Sequence, residues 1–163
     1  MKFLFLALLL VSTSAFAKIS KYETICKNND CFQNGWITTA PGYKLDTQCK
    51  NNDCSRYGWF SIANDQSTYD VTCREGSCFG EGWHSTQKIK NKTLTDDVTC
   101  RSSDCLSYGW SVRTGYDLMG GNVMCNLMDC SKYGGSSLWR GRPAYTACYK
   151  KDCYHEGWDL FIY

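Results

Sequence analysis

Short segments that mix β-branched and polar residues flank polar turn sequences throughout the chain. Residues 46–49, for example, read as a strand and precede the polar run Lys50-Asn51-Asn52-Asp53. Asn and Asp bond to nearby backbone and tolerate unusual dihedral angles, so the polar run predicts a turn. Side chains two apart on a strand share a face, so Thr47 and Cys49 are expected to point the same way. The pattern therefore predicts strands joined by tight turns.

The same phrase occurs six times, as Cys, four residues, Cys, three residues and Gly, and in five of the copies Trp follows the Gly. Successive first cysteines are separated by 23, 24, 27, 25 and 23 residues, which fits one hairpin and a connection. An isolated hairpin is marginally stable, so the repeats are expected to share a core. A β-branched residue stands two places before the first cysteine in every copy: Thr24, Thr47, Val71, Val98, Val123 and Thr146.

These features predict an all-β domain of six tandem, disulfide-stapled β-hairpin repeats. We expect a small closed arrangement, either β-trefoil-like or another toroid. Residues 19–25 and 159–163 each resemble half of a connecting region, and pairing these ends would remove exposed sheet edges. An open β-solenoid is the alternative, although it usually has atypical capping repeats at its ends.

The N-terminus predicts export. Lys2 is followed by an apolar run, and Ala15-Phe16-Ala17 has the small-x-small pattern of a signal-peptidase site. Residues 1–17 are therefore expected to be a signal peptide, too short to span a membrane, and residues 18–163 a single domain. The predicted location is secreted: extracellular, or periplasmic in a bacterium.

The cysteines predict a disulfide framework, because exported chains fold in an oxidising compartment. A four-residue hairpin loop places its flanking residues opposite each other, at a spacing that a disulfide can bridge, so we expect pairing within each repeat. A ladder between successive repeats, such as Cys31 with Cys49, is the alternative. The twelve cysteines are Cys26, Cys31, Cys49, Cys54, Cys73, Cys78, Cys100, Cys105, Cys125, Cys130, Cys148 and Cys153.

No metal or other cofactor is predicted. An aspartate precedes the second cysteine in five repeats, at Asp30, Asp53, Asp104, Asp129 and Asp152. One carboxylate per repeat does not supply the six to eight oxygens that calcium needs, so we interpret these residues as local acceptors of backbone N–H groups. His84 and His155 occupy non-equivalent places in their repeats, which argues against zinc.

Charge and motifs exclude two further classes. The formal net charge is +2, and loss of Lys2 with the signal peptide leaves +1, so the near-neutral chain predicts no electrostatic footprint for nucleic acid or an anionic membrane. Glu81 and Glu156 lie near the two histidines in sequence, but no nucleophile motif or phosphate-binding loop accompanies them. We therefore predict that the protein is not an enzyme.

The Gly-Trp pairs are the leading candidates for ligand binding. An exposed indole offers a flat apolar face and one N–H donor, which suits stacking on sugar rings, and six repeats would gain by multivalency. The competing interpretation is that the indoles pack in the shared core. The candidate ligand-binding residues are Trp36, Trp59, Trp83, Trp110, Trp139, Trp158, Arg140 and Arg142.

The fifth repeat departs from the pattern, because it carries Gly134-Gly135 in place of Gly-Trp. Trp139 either replaces the missing indole after a small insertion or forms a partner-binding loop with Arg140 and Arg142. The function expected from the whole chain is lectin-like recognition of cell-surface or wall glycans. The alternatives are a structural or protein-interaction component of the envelope or exterior, and a secreted inhibitor or toxin.

Overall fold

Twelve antiparallel strands form one closed barrel in a computed structural model of the protein. The structure describes residues 20–114, 121–139 and 142–163, with the backbone alone at Trp139, so the predicted signal peptide lies outside the described residues. The strands are β1 (Ser20–Cys26), β2 (Trp36–Ala40), β3 (Tyr43–Cys49), β4 (Trp59–Ala63), β5 (Thr68–Cys73), β6 (Trp83–Ile89), β7 (Lys92–Cys100), β8 (Trp110–Thr114), β9 (Gly121–Cys125), β10 (Gly135–Trp139), β11 (Arg142–Cys148) and β12 (Trp158–Ile162).

Each strand pairs with its neighbours in sequence, and β1 pairs with β12 to close the ring. Ser20 lies opposite Ile162, and Thr24 lies opposite Trp158. The predictions of an all-β fold and of pairing between the two ends are therefore confirmed, and the open solenoid is wrong. The β-trefoil label is not confirmed, because the strand order is a simple up-and-down meander.

Buried and exposed residues alternate along strands such as β1 and β4, as expected for a barrel with an inner and an outer face. The β-branched residues ahead of the first cysteines face inward, and Thr24, Thr47, Val71 and Val98 are at most 4% exposed. Buried hydroxyl pairs link neighbouring strands, since the Oγ1 atom of Thr47 lies 2.8 Å from the Oγ atom of Ser61. These contacts satisfy polar atoms that would otherwise be costly to bury.

All six disulfides join the two cysteines of one repeat, as predicted, with Cα–Cα distances of 4.4 to 4.7 Å. The proposed geometric reason is wrong. Cys26 lies opposite Trp36 in the sheet, and Cys31 starts a short helix instead of the returning strand. The hairpin loop therefore runs from residue 27 to residue 35, and the disulfide folds its first half back on itself.

Each of these loops contains a tight 3-10 turn, and in four of them a single helical turn follows it. The 3-10 turns span Lys27–Asn29, Lys50–Asn52, Arg74–Gly76, Arg101–Ser103, Asn126–Met128 and Tyr149–Lys151. The helical turns are α1 (Cys31–Asn34), α2 (Cys54–Tyr57), α3 (Cys105–Tyr108) and α4 (Cys130–Tyr133). All of them lie at one end of the barrel, which we call the disulfide end.

The glycine of each Gly-Trp pair is required by close packing between adjacent repeats. Gly58 has φ +83°, and a Cβ atom there would lie 2.2 Å from the carbonyl oxygen of Val71. Gly157 stands in the same relation to Thr24, so the last repeat contacts the first as closely as any other pair. The close approach at each of these glycines is to the backbone of the next strand.

Candidate functional site

Five of the six tryptophans face the inside of the barrel near the disulfide end and contact one another. Ring centroids are separated by 5.5 Å between Trp36 and Trp59 and by 5.7 Å between Trp36 and Trp158. Two further contacts of 5.7 Å link Trp59 to Trp83 and Trp83 to Trp110. We call this chain of five side chains the Trp arc.

The spacing within the Trp arc limits what it can bind. Its rings are tilted by 56° to 60° to their neighbours. A sugar stacked between two indoles needs roughly 3.5–4.0 Å on each side, so about 7 Å between ring planes. Neighbouring indoles in this arrangement fill that space themselves, and Trp36 is only 9% exposed. The Trp arc therefore leaves no room for a sugar between its rings, and Trp59 and Trp158 pack against the buried cluster that contains Trp36.

The sixth place in the ring belongs to Gly135. Gly135 lies opposite Cys125, as Trp36 lies opposite Cys26. Trp139 is four residues further along β10, opposite Arg142 at the other end of the strand, so its backbone does not occupy the missing ring position. The Trp arc consequently has two ends, Trp110 and Trp158.

The two arginines predicted with Trp139 are not brought into a described site. Arg140 lies outside the described residues. Arg142 begins β11, is exposed, and its Nε atom donates a hydrogen bond of 2.9 Å to the carbonyl oxygen of Tyr163. The loop hypothesis for these residues stays a prediction.

An aromatic cap closes the disulfide end of the barrel above the Trp arc. It consists of Phe32, Phe79 and Tyr154, each of which follows the second cysteine of its repeat. The Phe32 ring lies 4.8 Å from that of Phe79 and 4.2 Å from that of Tyr154. Burial raises the pKa of Tyr154 to about 12, and nearby carboxylates such as Asp129 add to the effect.

The aspartates before the second cysteines cap the following turns, as predicted. Oδ1 of Asp104 accepts backbone hydrogen bonds from Leu106 at 3.0 Å and from Ser107 at 2.9 Å. Hydrogen bonds from the side chain and backbone of Ser107, and from the backbone of Leu106, lower the pKa of Asp104. Among the residues that the structure describes, no group of three or more His, Cys, Asp or Glu side chains is arranged to hold a metal ion.

We expect this capping to make stability depend on pH in the acid range. A carboxyl whose pKa is lower in the folded state stabilises the fold above its unfolded pKa, and loses that effect as the pH falls through its folded pKa. The variant Asp104→Asn keeps the side-chain oxygen acceptor but removes the titration. Its urea midpoint should therefore change less with pH than that of the wild type. If the urea midpoints of the two proteins change equally with pH, the titration of Asp104 does not contribute to the pH dependence of stability.

Both histidines pair with carboxylates other than those nearest in sequence. Nδ1 of His84 lies 2.8 Å from Asp97, and Nδ1 of His155 lies 2.8 Å from Asp152. Asp97 also pairs with Arg74, and both imidazole side chains are at least 60% exposed. This is the arrangement of surface ion pairs.

A polar groove lies on the outer rim between the first and second repeats. It has a volume of about 230 Å³ and carries side-chain amides from both repeats. We call it the first groove, and its lining residues are Lys27, Asn28, Gln33, Asn34, Gln48, Cys49 and Asn52.

Most polar atoms of the first groove are available to a ligand. Lys27 is held by Asp46 at 2.5 Å and by the carbonyl oxygen of Thr47 at 2.7 Å. The five amide side chains, in contrast, have no hydrogen-bond partner among the described residues. Phe60, 38% exposed, lies opposite Gln48 on the outer face of the neighbouring strand. The rim thus combines free amides with an adjacent aromatic ring.

No protein-family model, curated protein or solved structure matches this chain. Within the described residues, no helix is long and apolar enough to cross a membrane.

The first groove was not found from the sequence. Four of its lining residues come from the first repeat and three from the second, and the register of β1 to β4 brings them together. The available signal was compositional. The first two repeats carry the amide pairs Gln33-Asn34 and Asn51-Asn52, whereas later repeats have Ser, Gly, Lys, Tyr or Glu at most of these positions.

Proposed function

We propose that this protein is a secreted, non-catalytic binding module that recognises glycans at the first groove. The observation that carries the proposal is the convergence of five side-chain amides with no internal hydrogen-bond partner. An amide both donates and accepts hydrogen bonds, which matches the paired donor and acceptor character of a sugar hydroxyl. Six disulfides fit a protein that folds in an exported environment.

The neighbouring Phe60 supplies the second element of sugar recognition. A partly exposed aromatic ring offers an apolar face for the C–H side of a sugar, while amides bind its hydroxyls. The ammonium group of Lys27 is already paired with the carboxylate of Asp46, so it does not offer the first groove a free positive charge. Neutral hexoses or hexosamines therefore suit it better than strongly acidic sugars.

Under this proposal the Trp arc stabilises the barrel and the outer rim binds the ligand. Equivalent rim positions carry different residue types in most repeats, so the first groove is not reproduced around the barrel. Gln48, for example, is replaced by Thr72, Thr99, Met124 and Ala147 in the next four repeats. The avidity expected from six identical sites is thus replaced by one selective site.

The variant Gln48→Ala should weaken glycan binding about tenfold, the effect of losing one or two hydrogen bonds to a ligand. Folding should be unaffected, because the sixth repeat has Ala147 at the same position. The measurement is a glycan array with the wild type, followed by isothermal titration of the best ligand. Thr99→Ala, at the same position in the fourth repeat, is the matched control and should retain full affinity.

Two outcomes would contradict this assignment. Absence of binding to any glycan by folded protein would exclude glycan recognition. Binding that survives Gln48→Ala, together with protection of the indoles from iodide quenching, would place the ligand against the Trp arc.

A further inference from the structure

The fifth repeat projects two apolar side chains into solvent at the disulfide end. Leu127 is 79% exposed and Met128 is 69% exposed, the highest values among the large hydrophobic residues that the structure describes. They occupy the middle and end of the 3-10 turn Asn126–Met128. We call this pair the apolar tip.

The apolar tip is peculiar to one repeat. The equivalent turn positions in the other five repeats carry polar residues or glycine: Asn28 and Asn29, Asn51 and Asn52, Glu75 and Gly76, Ser102 and Ser103, and Lys150 and Lys151. The shared turn therefore forms without apolar side chains, and the fold does not require them at Leu127 and Met128.

The backbone makes the apolar residues still less suited to this place. Leu127 has φ +49° and Met128 has φ +56°, both in the left-handed region. Asn and Gly adopt that region most readily, whereas Leu and Met do so at an energetic cost. Residues that break a local preference without a compensating contact in the fold often serve binding.

Cationic side chains flank the apolar tip on both sides. Arg101 and Lys151 stand in the turns of the preceding and following repeats, and Lys132 stands in the helical turn of the same repeat. None of the three forms an ion pair with a described residue. The nearby carboxylate of Asp129 already accepts hydrogen bonds from the hydroxyl of Ser131 at 2.6 Å and from the backbone of Lys132 at 2.9 Å.

Further apolar side chains are exposed on the fourth and fifth repeats. At the positions equivalent to Asn34 and Gln48 of the first groove stand Tyr108, 48% exposed, and Met124, 57% exposed. Methionine side chains adapt readily to irregular apolar partners. The two ends of the turn are held by backbone hydrogen bonds, since Asn126 N–H donates to the carbonyl of Gly134 and Asp129 N–H donates to the carbonyl of Asn126.

We propose that the apolar tip docks the protein on a membrane surface that contains anionic lipids. Leu127 and Met128 would enter the boundary between headgroups and acyl chains, and Arg101, Lys132 and Lys151 would contact lipid phosphates. The three cations beside the apolar tip complement anionic headgroups, whereas the aspartates of the same turns, Asp104, Asp129 and Asp152, already accept capping hydrogen bonds. Two inserted side chains give weak, reversible attachment. Around the closed ring, the apolar tip lies two repeats from the first repeat and three from the second, so it is separate from the first groove.

The double variant Leu127→Asn/Met128→Asn tests the proposal. The double variant carries at these two positions the residue type of the first repeat, Asn28 and Asn29, so it should fold normally and unfold at a slightly higher temperature. Wild-type protein should co-sediment with vesicles of phosphatidylcholine and phosphatidylglycerol, and less with pure phosphatidylcholine. The partition coefficient of the double variant for the anionic vesicles should be at least tenfold lower. Added salt should weaken the binding of the wild type to the same vesicles.

The control variant Ile62→Thr removes an exposed apolar side chain from the outer face of β4, far from the apolar tip, and should bind vesicles like the wild type. Failure of the wild type to bind either vesicle, or equal binding by the double variant, would overturn the proposal. If neither protein binds vesicles, and the wild type self-associates while the double variant does not, the apolar tip binds a protein partner instead. Glycan affinity should be unchanged in the double variant, so this result is independent of the first groove.

Discussion

Replacement of Gly58 by alanine is expected to destabilise the protein by on the order of 3–5 kcal/mol. The new Cβ atom would lie 2.2 Å from the carbonyl oxygen of Val71 and 2.8 Å from its carbonyl carbon. Both are backbone atoms of the adjacent repeat, so relief of the clash requires movement of a strand. Gly58 also has φ +83° and ψ −159°, a region that only glycine adopts readily.

The measurement is urea denaturation of the oxidised protein, and Gly42→Ala is the matched control. Gly42 also has a positive φ, +73°, but a Cβ atom there meets nothing within 4 Å. Its replacement should cost only the conformational term of about 1–2 kcal/mol. Equal losses in the two variants would show that the contact between adjacent repeats does not limit stability.

Removal of an indole from the middle of the Trp arc should be about as damaging. Trp36→Ala deletes a 9% exposed side chain that contacts both Trp59 and Trp158. Burying a large aromatic group and avoiding a cavity together stabilise a core by roughly 3–5 kcal/mol. Thermal denaturation of the oxidised variant measures the loss.

Trp110→Ala provides the comparison, because Trp110 contacts Trp83 and then borders the position of Gly135. It should cost less than Trp36→Ala. Closely spaced indoles also couple electronically, so the wild type should show an exciton couplet in its far-ultraviolet circular dichroism, weaker in Trp36→Ala than in Trp110→Ala. An absent couplet and full iodide quenching of tryptophan fluorescence would mean that the indoles are separate and exposed.

The disulfides illustrate how a correct conclusion can rest on an incomplete geometry. The count, the spacing and the absence of an odd cysteine favour pairing such as Cys26 with Cys31, and this pairing is observed. The sequence suggested that both cysteines flank a hairpin loop. The left-handed dihedral angles of Asn28 and Asn29 instead reverse the chain early, so Cys31 meets Cys26 before the returning strand begins at Trp36.

The amino-acid sequence by itself determined the repeat, the β-strands and the shared face of each β-branched residue and first cysteine. These features depend on local patterns, because alternation along a strand and turn residues act over a few positions. The pairing of the two ends was predicted from the half-units at each terminus, and it is a long-range contact. Only the tertiary structure decided which contacts the Gly-Trp pairs make. A glycine acts there through the backbone of the next repeat, and an indole acts through indoles 5.5 to 5.7 Å away on other strands. Such contacts depend on strand register and ring closure, which one repeat does not encode.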